Sequence, residues 1–250
     1  MRHWLPELIA LPLLPFLIAQ GRYTRHVTPR LPEASGPTSG ITGETYGTTK
    51  PLHLLTLGES PVAGVGVGTH AEAITGQFAH ALSGRLHQSV AWQALGKNGA
   101  TAADALQILV PQLPQRQIDV ALVAFGVNDT TAFRSVARWR DDLGHVLAAL
   151  QERCTPRLIL LSGVPPLQHF PALPQPLRWI MGMKARTLDA AACDLARTIP
   201  RLLHVPLALD PADPALMAVD GYHPSARGCN AWAQQLAEQC LHSGIFNEKP

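Results

Sequence analysis

The chain has 250 residues, of which 46% are hydrophobic and 15% charged, and its formal net charge is +2 with neutral histidine. This composition is typical of a globular protein with one α/β domain and a short additional segment, and it excludes a disordered or fibrous chain. The charge is nearly balanced and no run of lysine or arginine occurs, so we expect no nucleic-acid partner.

Residues 1–21 form an apolar N-terminal segment that is interrupted by three prolines and contains one acid, Glu7. A membrane-spanning helix needs roughly 20 apolar residues, so the segment is short for one. Its cleavage site would also be a poor one for a signal peptide. A membrane anchor or interfacial helix, a cleaved signal and a helix packed on the domain all remain open. We expect membrane association through this segment, on a cytoplasmic, periplasmic or secreted side that the sequence leaves undecided.

Residues 22–51 are predicted to be a linker, because their later part is rich in Pro, Gly, Ser and Thr and lacks an apolar period. The folded domain is predicted over residues 52–250. Short apolar runs there predict strands at 52–57, 89–95, 118–125, 158–162 and 202–209. Helices are predicted between and after them, at 69–87, 101–110, 133–151, 177–199 and 224–242. Such alternation predicts an α/β fold with a mainly parallel sheet and helices on both faces.

The four cysteines form no C-x-x-C pair, which argues against a zinc ribbon or a thioredoxin-like site. Cys229 and Cys240 would lie roughly 16 Å apart on the last helix, too far for a disulfide. We interpret the cysteines as small buried apolar residues. The eleven histidines show no H-E-x-x-H or similar spacing, which argues against a metalloenzyme.

A serine follows the first predicted strand of the domain, in the sequence Gly58-Glu59-Ser60. A serine at a strand end, next to glycine, can present its hydroxyl at the edge of a sheet, where parallel α/β folds bind ligands. It becomes a nucleophile only beside a base. By itself, the tripeptide predicts a turn or capping serine more readily.

The base and its partner are provided by Asp220-Gly221-Tyr222-His223-Pro224, just before the last helix. An aspartate three residues before a histidine in a tight loop can reach the Nδ1 atom, which leaves Nε2 facing a nucleophile. The alternative is that Asp220 caps the helix region and His223 is a surface loop residue.

Two further motifs follow strands and could provide donors to an oxyanion. Asn128 follows the most buried predicted strand, where its amide could stabilise negative charge, although Asn-Asp is also a common turn sequence. After the second predicted strand, a glycine N–H could serve the same purpose. We prefer Gly99 to Gly96 for this role, because Gly99 leads directly into the next helix.

The order of these motifs along the chain resembles the SGNH hydrolase family, also called GDSL-type esterases and lipases. Ser60, Gly99, Asn128 and His223 match its four marker residues, and Asp220 matches its acid. The resemblance covers residues 52–242. It implies a three-layer α/β/α sandwich and hydrolysis of carboxylic esters, without metal or cofactor, by a Ser60–His223–Asp220 triad.

The same resemblance implies an oxyanion hole made of the Ser60 N–H, the Gly99 N–H and the Asn128 amide. The usual Gly-Asp-Ser is Gly-Glu-Ser here, as in a bacterial branch of the family, and we expect altered local hydrogen bonding rather than lost activity. The acyl substrates include lipid-like esters, and we expect a monomer. An acyltransferase with the same acyl-enzyme, or a binding domain that has lost catalysis, are the alternatives.

Two other folds fit the sequence poorly. The α/β-hydrolase fold requires G-x-S-x-G after a middle strand, whereas Val62 stands where its second glycine should be. A nucleotide-binding fingerprint at residues 66–71 lies too far from its strand and has no acid roughly 20 residues downstream.

Overall fold

The computed structural model describes residues 4–43, 50–209 and 213–246. The helices are α1 (Leu5–Val27), α2 (Ile74–Leu86), α3 (Ala102–Ile108), α4 (Val127–Thr131), α5 (Val136–Cys154), α6 (Leu177–Ala196) and α7 (Ala226–His242). The strands are β1 (Ser39–Thr42), β2 (Leu52–Gly58), β3 (Val90–Gly96), β4 (Val120–Ala124), β5 (Leu158–Ser162) and β6 (Leu202–Val205). The six strands form one sheet in the order β1-β3-β2-β4-β5-β6.

All neighbouring strands are parallel except β1, which pairs antiparallel with β3 at the edge. Alternate residues of β2 point to opposite faces: Leu54 packs with α2 and α7, and Leu55 packs with α5 and α6. Apolar side chains on both faces explain why β2 and β4 are almost continuously hydrophobic. The mainly parallel sheet between two helical layers confirms the predicted fold class.

The site is located by a reversal of direction within the sheet. After β2 the chain passes to α2 on one face, whereas after the adjacent β4 it passes to α4 and α5 on the other face. Loops that leave neighbouring strands toward opposite faces open a crevice at the carboxyl ends, where ligands bind in such sheets. Ser60 follows β2, and Asn128 follows β4, so both residues lie at this crevice.

Several helices begin later than the sequence predicts, because polar residues cap them. Ser135 accepts a hydrogen bond from the Arg138 N–H, so α5 begins after it rather than at residue 133. Ser225 caps α7 in the same way through Gly228. Before α2, Thr69 donates from its N–H and its hydroxyl to Glu72, and this local turn delays the helix to Ile74.

Helix α1 runs without a break from Leu5 to Val27, through Pro12 and Pro15. Both prolines are exposed, so the carbonyl groups that lose a helical partner can meet water. The helix therefore crosses the predicted boundary at residue 21, and β1 lies inside the predicted linker. Residues 1–3, 44–49, 210–212 and 247–250 of the three predicted segments lie outside the described residues.

On the domain, α1 packs against α6 and places Ala10 and Leu17 in the core. Glu7 pairs with Lys184 of α6, whose side chain is fully buried. Farther along the helix, Gln20 exchanges hydrogen bonds with the Gln175 carbonyl and the Leu177 N–H. In the part of the chain that the structure describes, no helix is both long and apolar enough to cross a membrane.

Candidate active site

Asp220 and His223 form a hydrogen-bonded pair in the loop before α7. The Nδ1 atom of His223 lies 2.6 Å from Oδ2 of Asp220, whose side chain is almost fully buried. The other carboxylate oxygen, Oδ1, accepts hydrogen bonds from the N–H groups of Tyr222 and His223. Burial alone would raise the pKa of Asp220, but these hydrogen bonds outweigh it and lower the pKa below its ordinary value. An ionised Asp220 keeps Nε2 of His223 free to accept a proton.

Ser60 lies at the carboxyl end of β2 and is 6% exposed. Ser60 and His223 line the same cavity of about 100 Å³, together with apolar side chains such as Phe125 and Trp232. No hydrogen bond joins Ser60 to His223 among the described residues. The two side chains thus line one cavity without a hydrogen bond between them in the described structure. In catalytic sites, the hydrogen bond between such groups often forms or tightens only when substrate binds.

The backbone donors expected for an oxyanion are available. Neither the Ser60 N–H nor the Gly99 N–H makes a hydrogen bond to any acceptor within the described residues. Gly99 has φ +80, and a Cβ atom there would meet nothing within 4 Å. A Cβ atom on Gly96 would instead lie 2.3 Å from the Ala63 backbone nitrogen. Close packing thus explains Gly96, whereas Gly99 combines a left-handed backbone with open space.

The Asn128 amide is already engaged. Its Nδ2 atom lies 2.6 Å from Oε2 of Glu59 and 3.1 Å from the Ala100 carbonyl oxygen, so both amide hydrogens have acceptors. One of these hydrogen bonds must be released before Asn128 can donate to an oxyanion. The acid that holds this amide is Glu59 of the Gly-Glu-Ser sequence.

Glu59 is a buried acid directly before Ser60. It also accepts hydrogen bonds from the N–H groups of Val127 at 2.9 Å and Asn128 at 3.0 Å. Burial raises the pKa of Glu59 to about 8, and the N–H donors oppose the rise. Glu59 thus ties the loop after β2 to the start of α4, and its charge state affects how firmly Asn128 is held.

A second, larger cavity of about 1020 Å³ lies between α1 and the domain. Tyr222 and His223 line both cavities, and Asn128 lines the larger one. The Tyr222 ring packs edge-on against His223 and Phe170, with ring centroids 5.3 Å apart in each case. Tyr222 lies inside the Asp-Gly-Tyr-His-Pro motif, but no role was predicted for it from the sequence. No role was predicted for the α1 side chains at this cavity either.

Comparisons with known proteins identify a family model and solved structures with a similar fold. The model of the GDSL-like Lipase/Acylhydrolase family matches residues 56–231. No curated protein matched the chain by sequence.

Among solved structures, the lipase Lip_vut3 from a goat rumen metagenome is similar, with a TM-score of 0.58 and 17% identity. That match covers 75% of this chain and 96% of that one. The esterase EstA from Pseudoalteromonas, inhibited by monoethylphosphonate, gives a TM-score of 0.57 and 16% identity over 78% of this chain and 99% of that one. The salicylyl-acyltransferase SsfX3 from a tetracycline biosynthetic pathway gives a TM-score of 0.57 and 16% identity. That match covers 80% of this chain and 56% of that one.

Proposed function

Because the chain belongs to the GDSL-like lipase/acylhydrolase family, we propose that it hydrolyses carboxylic esters through an acyl-enzyme on Ser60. The observation that supports this most is the Asp220–His223 pair, at 2.6 Å, in the wall of the cavity that Ser60 lines. A histidine with one nitrogen held by a carboxylate and the other facing a serine is the arrangement that activates a hydroxyl nucleophile.

In the proposed reaction, Nε2 of His223 takes the Ser60 proton while Oγ attacks the ester carbonyl carbon. The resulting tetrahedral oxyanion receives hydrogen bonds from the N–H groups of Ser60 and Gly99. The bond to the alcohol oxygen then breaks, and His223 returns the proton to that oxygen. Water repeats the sequence on the acyl-enzyme and releases the acid. Asp220 stays ionised throughout and stabilises the imidazolium.

Asn128 is the proposed third oxyanion donor. Its amide can donate to the oxyanion only if one of its hydrogen bonds, to the Ala100 carbonyl or to the Glu59 carboxylate, is broken and re-formed with the oxyanion. Such an exchange favours the transition state over the ground state, because the new acceptor gains its full charge only during the attack.

Chromogenic esters and their acyl-enzyme provide the test. Wild-type protein should hydrolyse p-nitrophenyl esters, and Ser60→Ala should not, with unchanged melting temperature. Hydroxylamine added during turnover should trap the acyl group as a hydroxamate. Hydrolysis that survives in Ser60→Ala would refute the proposal, and so would a wild-type protein inactive over a series from acetate to palmitate.

An acyltransferase would form the same acyl-enzyme, as the similarity to a salicylyl-acyltransferase suggests. Added acceptor alcohols separate the two activities. A hydrolase should release free acid as its main product in their presence. Ester formed in excess of acid would instead assign the protein to the transferases.

The N-terminal helix supports a further part of the proposal, that the enzyme works on lipid-like esters at a membrane surface. Large apolar side chains at the start of α1 and along it are exposed, among them Trp4 just before the helix, Leu8, Leu11, Leu14 and Phe16. Cationic side chains follow, namely Arg22 and Arg25 in its C-terminal part and Arg30 just after it. Exposed apolar side chains next to basic ones characterise helices that lie in the surface of an anionic bilayer.

Vesicle sedimentation tests the membrane proposal. The full chain should bind vesicles that contain phosphatidylglycerol more tightly than pure phosphatidylcholine vesicles, and salt should weaken the binding. Phe16→Ser should reduce binding, whereas Val219→Ser, which changes another exposed apolar side chain (87% exposed), should not. Equal binding by both variants would contradict docking through α1.

A further inference from the structure

The larger cavity has an unusual wall, because the N-terminal helix provides much of it. From α1, apolar side chains Ala10, Leu14 and Leu17 line the cavity, and Leu177 and Met181 of α6 line the opposite side. Its volume of about 1020 Å³ lies at the upper end of the roughly 300–1,000 Å³ found for ligand pockets. The Ser60 cavity, at about 100 Å³, is smaller than the roughly 150 Å³ cavity that holds benzene in another protein. A long apolar chain therefore fits only the larger one.

One part of the cavity is polar and cationic. Arg22, Arg25 and Arg30 line it, and none of them forms an ion pair or side-chain hydrogen bond with the described residues. Thr24 is 8% exposed and also lines the cavity, yet its hydroxyl has no hydrogen-bond partner. A buried hydroxyl without a partner is costly to the fold, and a polar ligand group beside it would remove that cost.

This cationic part adjoins the catalytic loop. Desolvation raises the pKa of the Tyr222 phenol, and the nearby positive charge of Arg25 opposes the rise. Tyr222 packs against His223, so Arg25 lies on the His223 side of the cavity. Two acids also line the cavity. Glu7 pairs with Lys184 and lies roughly 27 Å from Arg25 along the helix, and the buried Asp220 carboxylate is occupied by hydrogen bonds within the catalytic loop, from Tyr222 and His223.

We propose that this cavity is a binding site for an anionic amphiphile, whose apolar chain lies between α1 and α6 and whose acidic group lies beside Arg25 and Thr24. The proposal rests on the ester hydrolase function, in which such a molecule is the substrate. A long-chain ester that bears a carboxylate or phosphate near the scissile bond fits the site. The N-terminal helix then forms part of the substrate site as well as its surface contact.

Gly21 offers a direct way to fill the cavity. It lines the cavity, and a Cβ atom there would meet nothing within 4 Å, so Gly21→Trp can start a bulky side chain at the cavity wall. A matched control is Ala19→Trp, which places the same side chain on the exposed part of the same helix, outside the cavity lining. Because Gly is a poorer helix former than Ala, the control should be the less stable of the two variants, and a melting curve of each checks its folding.

Binding is measured on the full chain carrying Ser60→Ala, so the result does not depend on turnover. Titration calorimetry with dodecanoate below its micelle concentration should show one site. Gly21→Trp should abolish the binding, and Ala19→Trp should preserve it. Arg25→Gln should weaken it about tenfold, as expected for one charge-assisted hydrogen bond. Arg140→Gln, on the exposed surface of α5, should leave it unchanged. Dodecylammonium should bind at least about tenfold more weakly than dodecanoate.

Equal dodecanoate affinity in Gly21→Trp and Ala19→Trp would overturn the site, and equal affinity for dodecylammonium would overturn its charge preference. A second measurement uses the active enzyme: Arg25→Gln should raise KM for a dodecanoyl ester with a carboxylate in its alcohol, and not for a neutral one. An equal KM effect on both esters would also contradict the charge preference. Dodecanoate binding without Ser60-dependent hydrolysis would refute the proposed function and leave the binding site intact.

Discussion

The ion pair between Glu7 and Lys184 gives the sharpest prediction about the N-terminal helix. Lys184 is fully buried and lies 5.5 Å from the centre of the Phe133 ring, whereas the Glu7 side chain is 36% exposed. Glu7→Gln removes the only carboxylate paired with this ammonium among the described residues. Lys184 must then remain as an unpaired buried charge or lose its proton, and either outcome destabilises the folded state.

Proton loss sets an upper limit on that cost. An ordinary lysine pKa of about 10.4 lies roughly 3.4 units above pH 7, and each unit is worth about 1.4 kcal/mol, so the cost cannot exceed about 5 kcal/mol. Breaking a buried pair typically costs roughly 3–5 kcal/mol. The Glu7 side chain is 36% exposed, although its Oε2 atom is buried, so we expect Glu7→Gln to cost less than a fully buried pair and to lower the free energy of unfolding by about 2–3 kcal/mol at pH 7.

The pH dependence distinguishes this mechanism from a loss of packing. An unpaired buried ammonium destabilises the variant most at pH values where lysines are charged, so the stability of Glu7→Gln should rise with pH relative to wild type and approach it near pH 10. Lys184→Met should cost less than Glu7→Gln, because it leaves a partly exposed glutamate rather than a buried ammonium.

Urea unfolding at several pH values measures these differences. A loss of less than about 0.5 kcal/mol in Glu7→Gln, or one that does not change with pH, would show that Lys184 is hydrated and that α1 is not seated against α6.

Three shorter predictions concern the active site. Asn128→Ala should lower kcat for a p-nitrophenyl ester by roughly 100-fold or more if the amide serves the oxyanion, and a near-normal kcat with an unchanged melting curve would make Asn128 a structural residue. Asp220→Asn should lower kcat about 10⁴-fold with little change in KM, and an activity above a tenth of wild type would contradict the triad. The pKa of Glu59 is raised from 4.5 to about 8 in the folded state. Between these two pH values the folded protein keeps a proton that the unfolded protein loses, so the free energy of unfolding should fall as the pH rises. Glu59→Gln should flatten that fall, and parallel stability curves for the two proteins would contradict it.

The contact between Asn128 and Glu59 decides which substitution at Asn128 is the better test. An Asn128→Asp variant would place a carboxylate against Oε2 of Glu59, which lies 2.6 Å from the present amide nitrogen. The variant loses the amide donor to Glu59, and above the Glu59 pKa of about 8 the two carboxylates repel each other, so the loop is destabilised along with the oxyanion. The alanine variant is the cleaner test, because it removes the donor without adding charge.

Most of the sheet could be predicted from sequence, because its strands carry a signal strong enough to read locally. β4 and β5 are buried on both faces and appear as unbroken apolar runs. The strand β1 could not be predicted, since Ile41 is its only large apolar residue and the strand is fixed by pairing with β3. Gly40 fits there because the Trp92 ring leaves no room for a Cβ atom. Such a strand depends on a distant partner.

The N-terminal helix illustrates a different limit. Its prolines lower the helix propensity of the segment, and its apolar character is compatible with anchoring, secretion or packing. Contacts with residues more than 150 positions away, such as Lys184 and Gln175, hold it on the domain. These contacts are a property of the fold and leave no local signal in the sequence.

In the site, the Asp220–His223 pair could be predicted because both residues belong to one short loop. The assignment of Ser60, Gly99 and Asn128 to one oxyanion hole remains a prediction. That both Asn128 amide hydrogens are engaged could not be foreseen, because it depends on contacts with Glu59 and the Ala100 carbonyl, which lie 69 and 28 positions away in the chain.

The identity of the nucleophile is tested most directly by covalent labelling. The native enzyme would be treated with a fluorophosphonate, digested, and its modified peptide identified by mass spectrometry. The account predicts one phosphonyl group per chain on Ser60, labelling that parallels loss of esterase activity, and no labelling in Ser60→Ala or His223→Ala. A label on another residue, or inactivation of the enzyme with Ser60 unmodified, would contradict it.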